Sequence, residues 1–381
     1  MKICVLGTHS LLGEGPKVGT QHIAEILAQL GHRVTYVTAH SSWPSLLFPA
    51  HRSKYLATFK PLRVADRLVQ ITPVNFLPVR VVKRLEETPL RWPVERINAA
   101  VERTRGRVLE EAEFDLCIFS AATTMTLLPK IRARHYVYRV NDLLSAFAGA
   151  PKSLVALERT VLERHPIDEV CAVNEQIAER ISAVYPRLRV RVLPNGVDLA
   201  LFDNARPDPE LEKTRRTNII YVGWFDTWTN IDLVFQTAAC LPDHNFHLFG
   251  TWNRHLPAKR PANVLIHGPI RHREIASKMK GCCVGLIPSG PQNTGRLVEK
   301  PLKFYEYLAA GLGVAATTYG GKDLEPFALI ADDPRGLAAA ILEAKRIPER
   351  HREQIRETLR AREWRGIVRS MVEPFEAGAP S

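Results

Sequence analysis

Short apolar, β-branched runs alternate with amphipathic helical stretches in two successive series, and this alternation limits the fold more than any other feature. In the first series the strand candidates are Ile3 to Leu6, Val34 to Thr38, Asp115 to Ser120, His135 to Arg139, Glu169 to Val173 and Arg189 to Leu193. Helices are expected over Thr20 to Leu30, from about Thr124, over Ser153 to Arg164 and over Glu175 to Val184. The polar stretch Asp203 to Thr217, with Pro207 and Pro209, reads as a linker. A second series follows, with strands Asn218 to Val222, Asn245 to Phe249, Val264 to His267, Val284 to Ile287 and Val314 to Thr317. Its helices fall near Ile231 to Ala239, His272 to Lys280, Leu302 to Ala310 and Arg335 to Ala344. A last charged helix is expected over Glu349 to Arg365. The expected fold class is therefore α/β, with two doubly wound, Rossmann-like domains. Their expected bounds are 1–202 and 218–362, joined by a linker at 203–217 and followed by a tail at 363–381. Where two such sheets face a central cleft, that cleft is the default site.

Composition narrows the function classes. The 381 residues are 45% hydrophobic and 24% charged, which suits two globular cores. The six cysteines form no C-x-x-C pair and read as free thiols of a reducing compartment. Scattered Cys and His show no zinc spacing. Met1 to Gly7 reads as a strand, and no apolar run approaches the ~20 residues of a spanning helix. The expected location is the cytoplasm, or the inner face of a membrane as a peripheral protein. Net charge is +12, and Arg52 to Arg107 holds 13 Lys/Arg against 5 Asp/Glu among bulky apolar residues such as Phe59, Phe76 and Trp92. Mixed basic and apolar surface suits an anionic membrane; nucleic acid lacks any recognition motif to support it, and a solvated helical segment is the plain alternative.

Two loops fail common motif tests. Gly13, Gly15 and Gly19 do not make G-x-G-x-x-G, because Val18 stands where the third glycine is required, and no Walker A loop occurs. No D-x-D is present to hold a divalent ion. Glu299 to Thr317 reads as a loop, a short helix, a glycine stop and a buried strand. Lys303 and Glu306 share one face near the helix start, with Phe304, Tyr305 and Leu308 packing inward. A helix start with a lysine suits a diphosphate, and a carboxylate one turn on suits two ribose hydroxyls.

Lys303-Phe-Tyr-Glu-Tyr-Leu-Ala-Ala-Gly311 resembles the nucleotide-sugar motif of two-domain GT-B glycosyltransferases. Tyr138-Arg-Val-Asn-Asp142-Leu-Leu-Ser145 is similar to the Tyr-Arg-x-x-Asp-x-Leu-Ser segment of the xanthan glucuronosyltransferase group, an inverting GT-B family. Val18 to Ala28, Leu157 to Asn174 and His267 to His272 are similar in order and spacing. The group's helix carries Met-Lys and then Gln, where this chain has Leu302-Lys303 and Glu306. The resemblance implies a GT-B fold whose tail crosses back to an acceptor-binding first domain, with Asp142 as catalytic base. It implies a nucleotide-sugar site of Leu302, Lys303, Glu306, Gly223, Trp224, Gly250, Ile270 and Arg296, and an acceptor side with Lys17, Gly19 and Arg139. It further implies a UDP-sugar donor, glucuronate being one candidate, no metal or other cofactor, and a lipid-linked or oligosaccharide acceptor at an anionic membrane surface, as in exopolysaccharide synthesis. From the residues alone, Asp142 reads rather as a helix cap or a partner of Arg139. A retaining GT-B transferase is the nearest alternative. The Glu–Glu pair eight apart common in those enzymes is missing, since Glu299 and Glu306 stand seven apart. A UDP-sugar epimerase and a non-enzymatic nucleotide-sugar binder are the other classes.

Overall fold

The structure is a computed structural model that describes residues 1–12, 17–38, 41–42, 61–75, 112–120, 122–146, 150–252, 259–290, 301–321 and 324–376. The chain divides into two compact units. Met1–Gly13, Val18–Pro194 and Val368–Ser381 make the first, and Glu14–Lys17 with Asn195–Ile367 make the second.

In the first unit, β1 (Lys2–Gly7), α1 (Gly19–Gln29) and β2 (Arg33–Thr38) form the opening βαβ. A hairpin of β3 (Leu62–Ala65) and β4 (Leu68–Ile71) comes next, then β5 (Glu113–Phe119) and β6 (Arg132–Val140). Two strand–helix alternations end the series: α2 (Lys152–Arg164), β7 (Glu169–Ala172), α3 (Glu175–Val184) and β8 (Val190–Val192). The sheet order is β8-β7-β6-β5-β1-β2-β4-β3, parallel apart from the β3–β4 pair. Strands covered on both faces must be apolar throughout, and Ile3 to Leu6 and Leu116 to Phe119 are indeed fully buried. Gly7 lets Tyr36 cross over β1, because a Cβ there would lie 2.0 Å from the Tyr36 hydroxyl.

The second unit repeats the architecture with a smaller sheet. Its elements are β9 (Asn218–Val222), α4 (Ile231–Cys240), β10 (Asn245–Phe249), β11 (Val264–Gly268), α5 (His272–Lys280) and β12 (Val284–Ile287). They continue as α6 (Leu302–Ala309), β13 (Gly313–Ala316), β14 (Ala328–Ile330) and α7 (Pro334–Ala344). All pairs are parallel, in the order β11-β10-β9-β12-β13-β14. The chain runs one way from β9 and then returns to its other side with β12, so β9 and β12 flank the switch point where such sheets bind ligands.

The expected terminal helix is two helices, α8 (Arg352–Ala361) and α9 (Trp364–Glu376). Backbone pairing with the 195–198 turn interrupts it. Val197 N–H donates to Arg362 O at 2.7 Å, and Trp364 N–H donates to Val197 O at 3.2 Å. Gly196 makes this possible, since a Cβ there would lie 2.7 Å from the Trp364 ring and 2.9 Å from Arg362 O. The 203–217 stretch carries short helical turns at Pro209–Glu212 and Arg215–Thr217. Among the described residues no helix is long and apolar enough to cross a membrane. Most of the basic stretch from Arg52 to Arg107 lies outside the described residues.

One buried pair in the second sheet sets an acid limit. His247 Nδ1 on β10 lies 3.0 Å from His267 Nε2 on β11, and the rings stack. Burial, then the nearby His267 and Lys278, pushes the His247 imidazole down to about 4, against the pull of Asp208. The native state keeps this ring neutral while the unfolded chain takes up a proton below its ordinary value near 6.5. Stability should therefore fall as pH drops from 6.5 towards 4, by up to about 3 kcal/mol from this group. Denaturant melts across that range should show a flatter profile for His247→Leu than for the wild type; parallel profiles would remove His247 from the acid response.

Candidate active site

The face of α6 that packs inward is Phe304, Tyr305, Tyr307 and Leu308, all buried. Tyr307 does most to place the helix. Its Oη accepts from Val222 N–H at 3.1 Å and donates to Leu286 O at 3.3 Å, tying α6 to β9 and β12 together. Gly285 makes room for it, as a Cβ there would lie 2.3 Å from the ring. The sequence reading placed Phe304, Tyr305 and Leu308 inward and missed Tyr307. The signal was available in Gly285, a glycine inside an apolar strand, which marks a close approach.

With its inner face so fixed, α6 turns Lys303 and Glu306 towards the carboxyl ends of β9 and β12. A cavity of about 260 Å³ opens there. Val222 lines it at the end of β9, Gly223 and Trp224 just after, Pro288 and Ser289 after β12, and Leu302, Lys303 and Glu306 from α6. Lys17, which counts with the second unit, also lines it. Lys303 Nζ sits 4.4 Å over the Tyr221 ring, an attraction between a cation and an aromatic face. A Cβ on Gly223 would lie 2.6 Å from that ammonium, so glycine at 223 leaves the lysine its place. Glu306 accepts from, or is paired with, His272 at the start of α5, with Nε2 to Oε1 at 3.1 Å. His272 was not among the expected site residues; its place beside Glu306 comes from a helix thirty residues upstream, a juxtaposition that no local pattern carries.

Gly250 and Ile270, expected at the nucleotide-sugar site, do not line this cavity. Gly250 has φ +150, and a Cβ there would lie 1.6 Å from Gly223 O. Ile270 is buried in the apolar core of the unit. Arg296 lies outside the described residues. No group of three His, Cys, Asp or Glu among the described residues is placed to hold a metal.

The loop from Gly223 to Asn230 is firmly built. Phe225 is fully buried and stacks on Trp252 at 4.0 Å. Trp224 O accepts from Tyr221 Oη at 3.1 Å and from Thr229 Oγ1 at 3.0 Å. Trp228 O accepts from Gly290 N–H at 2.7 Å. Asn230 caps α4 through Leu233 N–H.

In the first unit, Asp142 is exposed just past the carboxyl end of β6. Its neighbours in sequence form the frame. Tyr138 stacks on Phe119 at 5.0 Å and donates to Glu158 Oε1 at 2.5 Å. Glu158 also accepts the Leu144 N–H, so one buried carboxylate grips the loop two residues beyond Asp142; burial pushes that carboxyl up. Asn141 Nδ2 donates to Ser120 Oγ at 2.9 Å. Arg139, expected on the acceptor side, is instead fully buried: its guanidinium donates to the carbonyls of Leu193 and Pro194, which leaves it no face towards an acceptor. Gly19 opens α1 and is buried, and Val18 N–H donates to Gln21 Oε1 at 2.8 Å.

Residues 14–196 match the glycosyl transferase 4-like domain family. No curated protein sequence matches the chain. Among solved structures, the chain is similar to a sucrose-phosphate synthase from Thermosynechococcus elongatus, at 16% identity and a TM-score of 0.69 over 99% of both chains. It is similar to WaaG, a glycosyltransferase involved in lipopolysaccharide biosynthesis, at 15% identity and 0.61 over 99% of this chain and 100% of that one. Anabaena HepE, solved with UDP and glucose, aligns at 13% identity and 0.63 over 99% of this chain and 100% of that one. Residues 14–196 are thus similar to the glycosyl transferase 4-like domain, and the two α/β units have the fold of the GT-B glycosyltransferases.

Proposed function

We propose that the protein is an inverting, metal-independent glycosyltransferase that uses a UDP-sugar. The observation that carries this reading is the cavity at the β9–β12 switch point, where the Lys303 ammonium, the Glu306 carboxylate and Gly223 come together. Lys303 and the first N–H groups of α6 would stabilise the diphosphate, and Glu306, held by His272, would accept the ribose hydroxyls. Transfer then needs one further group. The acceptor oxygen attacks the anomeric carbon, the bond to the diphosphate oxygen breaks, and UDP leaves with that electron pair. Asp142 takes the acceptor proton. Glucuronate is one candidate donor sugar and a membrane-associated glycolipid or polysaccharide the acceptor, on the resemblance of the Tyr138 to Ser145 segment to the xanthan glucuronosyltransferase group. HepE, a relative in fold, was solved with UDP-glucose.

Calorimetry with UDP, GDP, ADP and NAD, each with and without EDTA, tests the donor class. UDP should bind selectively and without sensitivity to EDTA. Binding of NAD alone, or of no nucleotide, would sink the reading.

A further inference from the structure

Trp224 and Trp228 are 43% and 40% exposed, although both stand on a loop that is otherwise tied down, and both line the cavity that holds Lys303. Large indoles with two-fifths of their surface exposed at the wall of a cavity contrast with the fully buried Trp364. We infer that these two indoles receive the hexose ring of the donor, and that they, rather than the nucleotide-binding groups, select the sugar. This inference rests on the donor-site reading given above.

Their lateral position separates sugar from base. Along the carboxyl edge the strands run β11, β10, β9, β12. Glu306 is held by His272, which follows β11, so the nucleoside end lies on that side. Lys303 sits beside Gly223, at the end of β9. Trp228 O accepts from the N–H of Gly290, which follows β12, and its indole shares the cavity wall with Lys303 and Glu306. A ligand with its ribose at Glu306 and its diphosphate at Lys303 leaves the indole-walled part of the cavity for the group beyond the second phosphate. That group is the sugar. The C–H faces of a pyranose are apolar and pack on an aromatic face, while its hydroxyls stay at the rim. The Trp224 carbonyl is held by Tyr221 and Thr229, so the loop meets its ligand already ordered.

The test compares UDP with UDP-glucose and UDP-glucuronate by calorimetry on the full chain, for wild type, Trp224→Ala, Trp228→Ala, Trp228→Phe and the double alanine variant. The double variant should lose about tenfold in affinity for the preferred UDP-sugar, with UDP changed by less than about twofold. Trp228→Phe should recover most of the loss from Trp228→Ala. An equal loss for UDP and UDP-sugar would overturn the inference and assign the indoles to the base or to the fold, as would no loss for either. Should another nucleotide bind in place of UDP, the same comparison with its diphosphate and its sugar diphosphate reads the stacking independently of the base. Binding of no nucleotide overturns both readings together.

Discussion

Asp142→Asn should lower the rate of sugar transfer by about a thousandfold, the range expected for loss of a general base. UDP and UDP-sugar affinity should stay within about twofold, because Asp142 belongs to the first unit and the Lys303 cavity to the second. The substitution is nearly isosteric at an exposed position, so the frame of Tyr138, Glu158 and Asn141 should survive it. Single-turnover transfer with a radiolabelled UDP-sugar checks the rate, and calorimetry checks the binding. Near-normal turnover would remove Asp142 from the chemistry. The anomeric configuration of the wild-type product is read in the same experiment: an inverted centre fits one direct displacement, and a retained one would require a different route in which Asp142 is not the base.

Lys303→Ala should weaken UDP and UDP-sugar binding 10- to 100-fold, the effect of losing a charge-assisted contact to phosphate. Uridine, which has no phosphate, should bind the variant and the wild type alike. The difference between the two ligands matters more than either value. Lys303 also lies over Tyr221, so a general loosening of the loop would weaken uridine as well. Equal loss for uridine and UDP would mean that the lysine supports the fold rather than the phosphate.

The sequence was most legible where burial is continuous. Strands buried on both faces show as apolar runs, so β1, β2, β5, β9, β10 and β12 could be placed within a few residues. The β3–β4 hairpin was not recognised. Its strands are short and half exposed, Leu62 to Ala65 alternates in burial, and the segment lies within a basic stretch that reads as irregular. The three-residue β14 is too short to carry a period. The break between α8 and α9 follows from a pairing with Val197, far back in the chain, which no local propensity encodes. The candidate site divides in the same way. Lys303 and Glu306 announce themselves by spacing on one helix, and Gly223 by its place after a strand. His272 and Trp228 join them only through tertiary contact, and Tyr307 left its trace in Gly285 rather than on its own helix. Arg139 shows the opposite hazard, since a charged residue in a recognisable motif proved to be a structural brace for the Leu193 and Pro194 carbonyls.

The phenol of Tyr307 has a wider consequence. The ladder between β9 and β12 covers only Ile219 with Val284 and Ile220 with Gly285. Beyond it, Val222 N–H and Leu286 O no longer meet each other and meet Tyr307 instead. The side chain acts as a wedge driven between two strands, filling the seam where they part. The separation of the two strands at the base of the aperture is therefore held from beneath, by one residue of the core, while loops form its rim. Such a division lets the rim change, including the two indoles, while the gauge of the opening stays constant. New sugar preferences would then be open to loop substitutions alone, with the nucleotide grip unaltered.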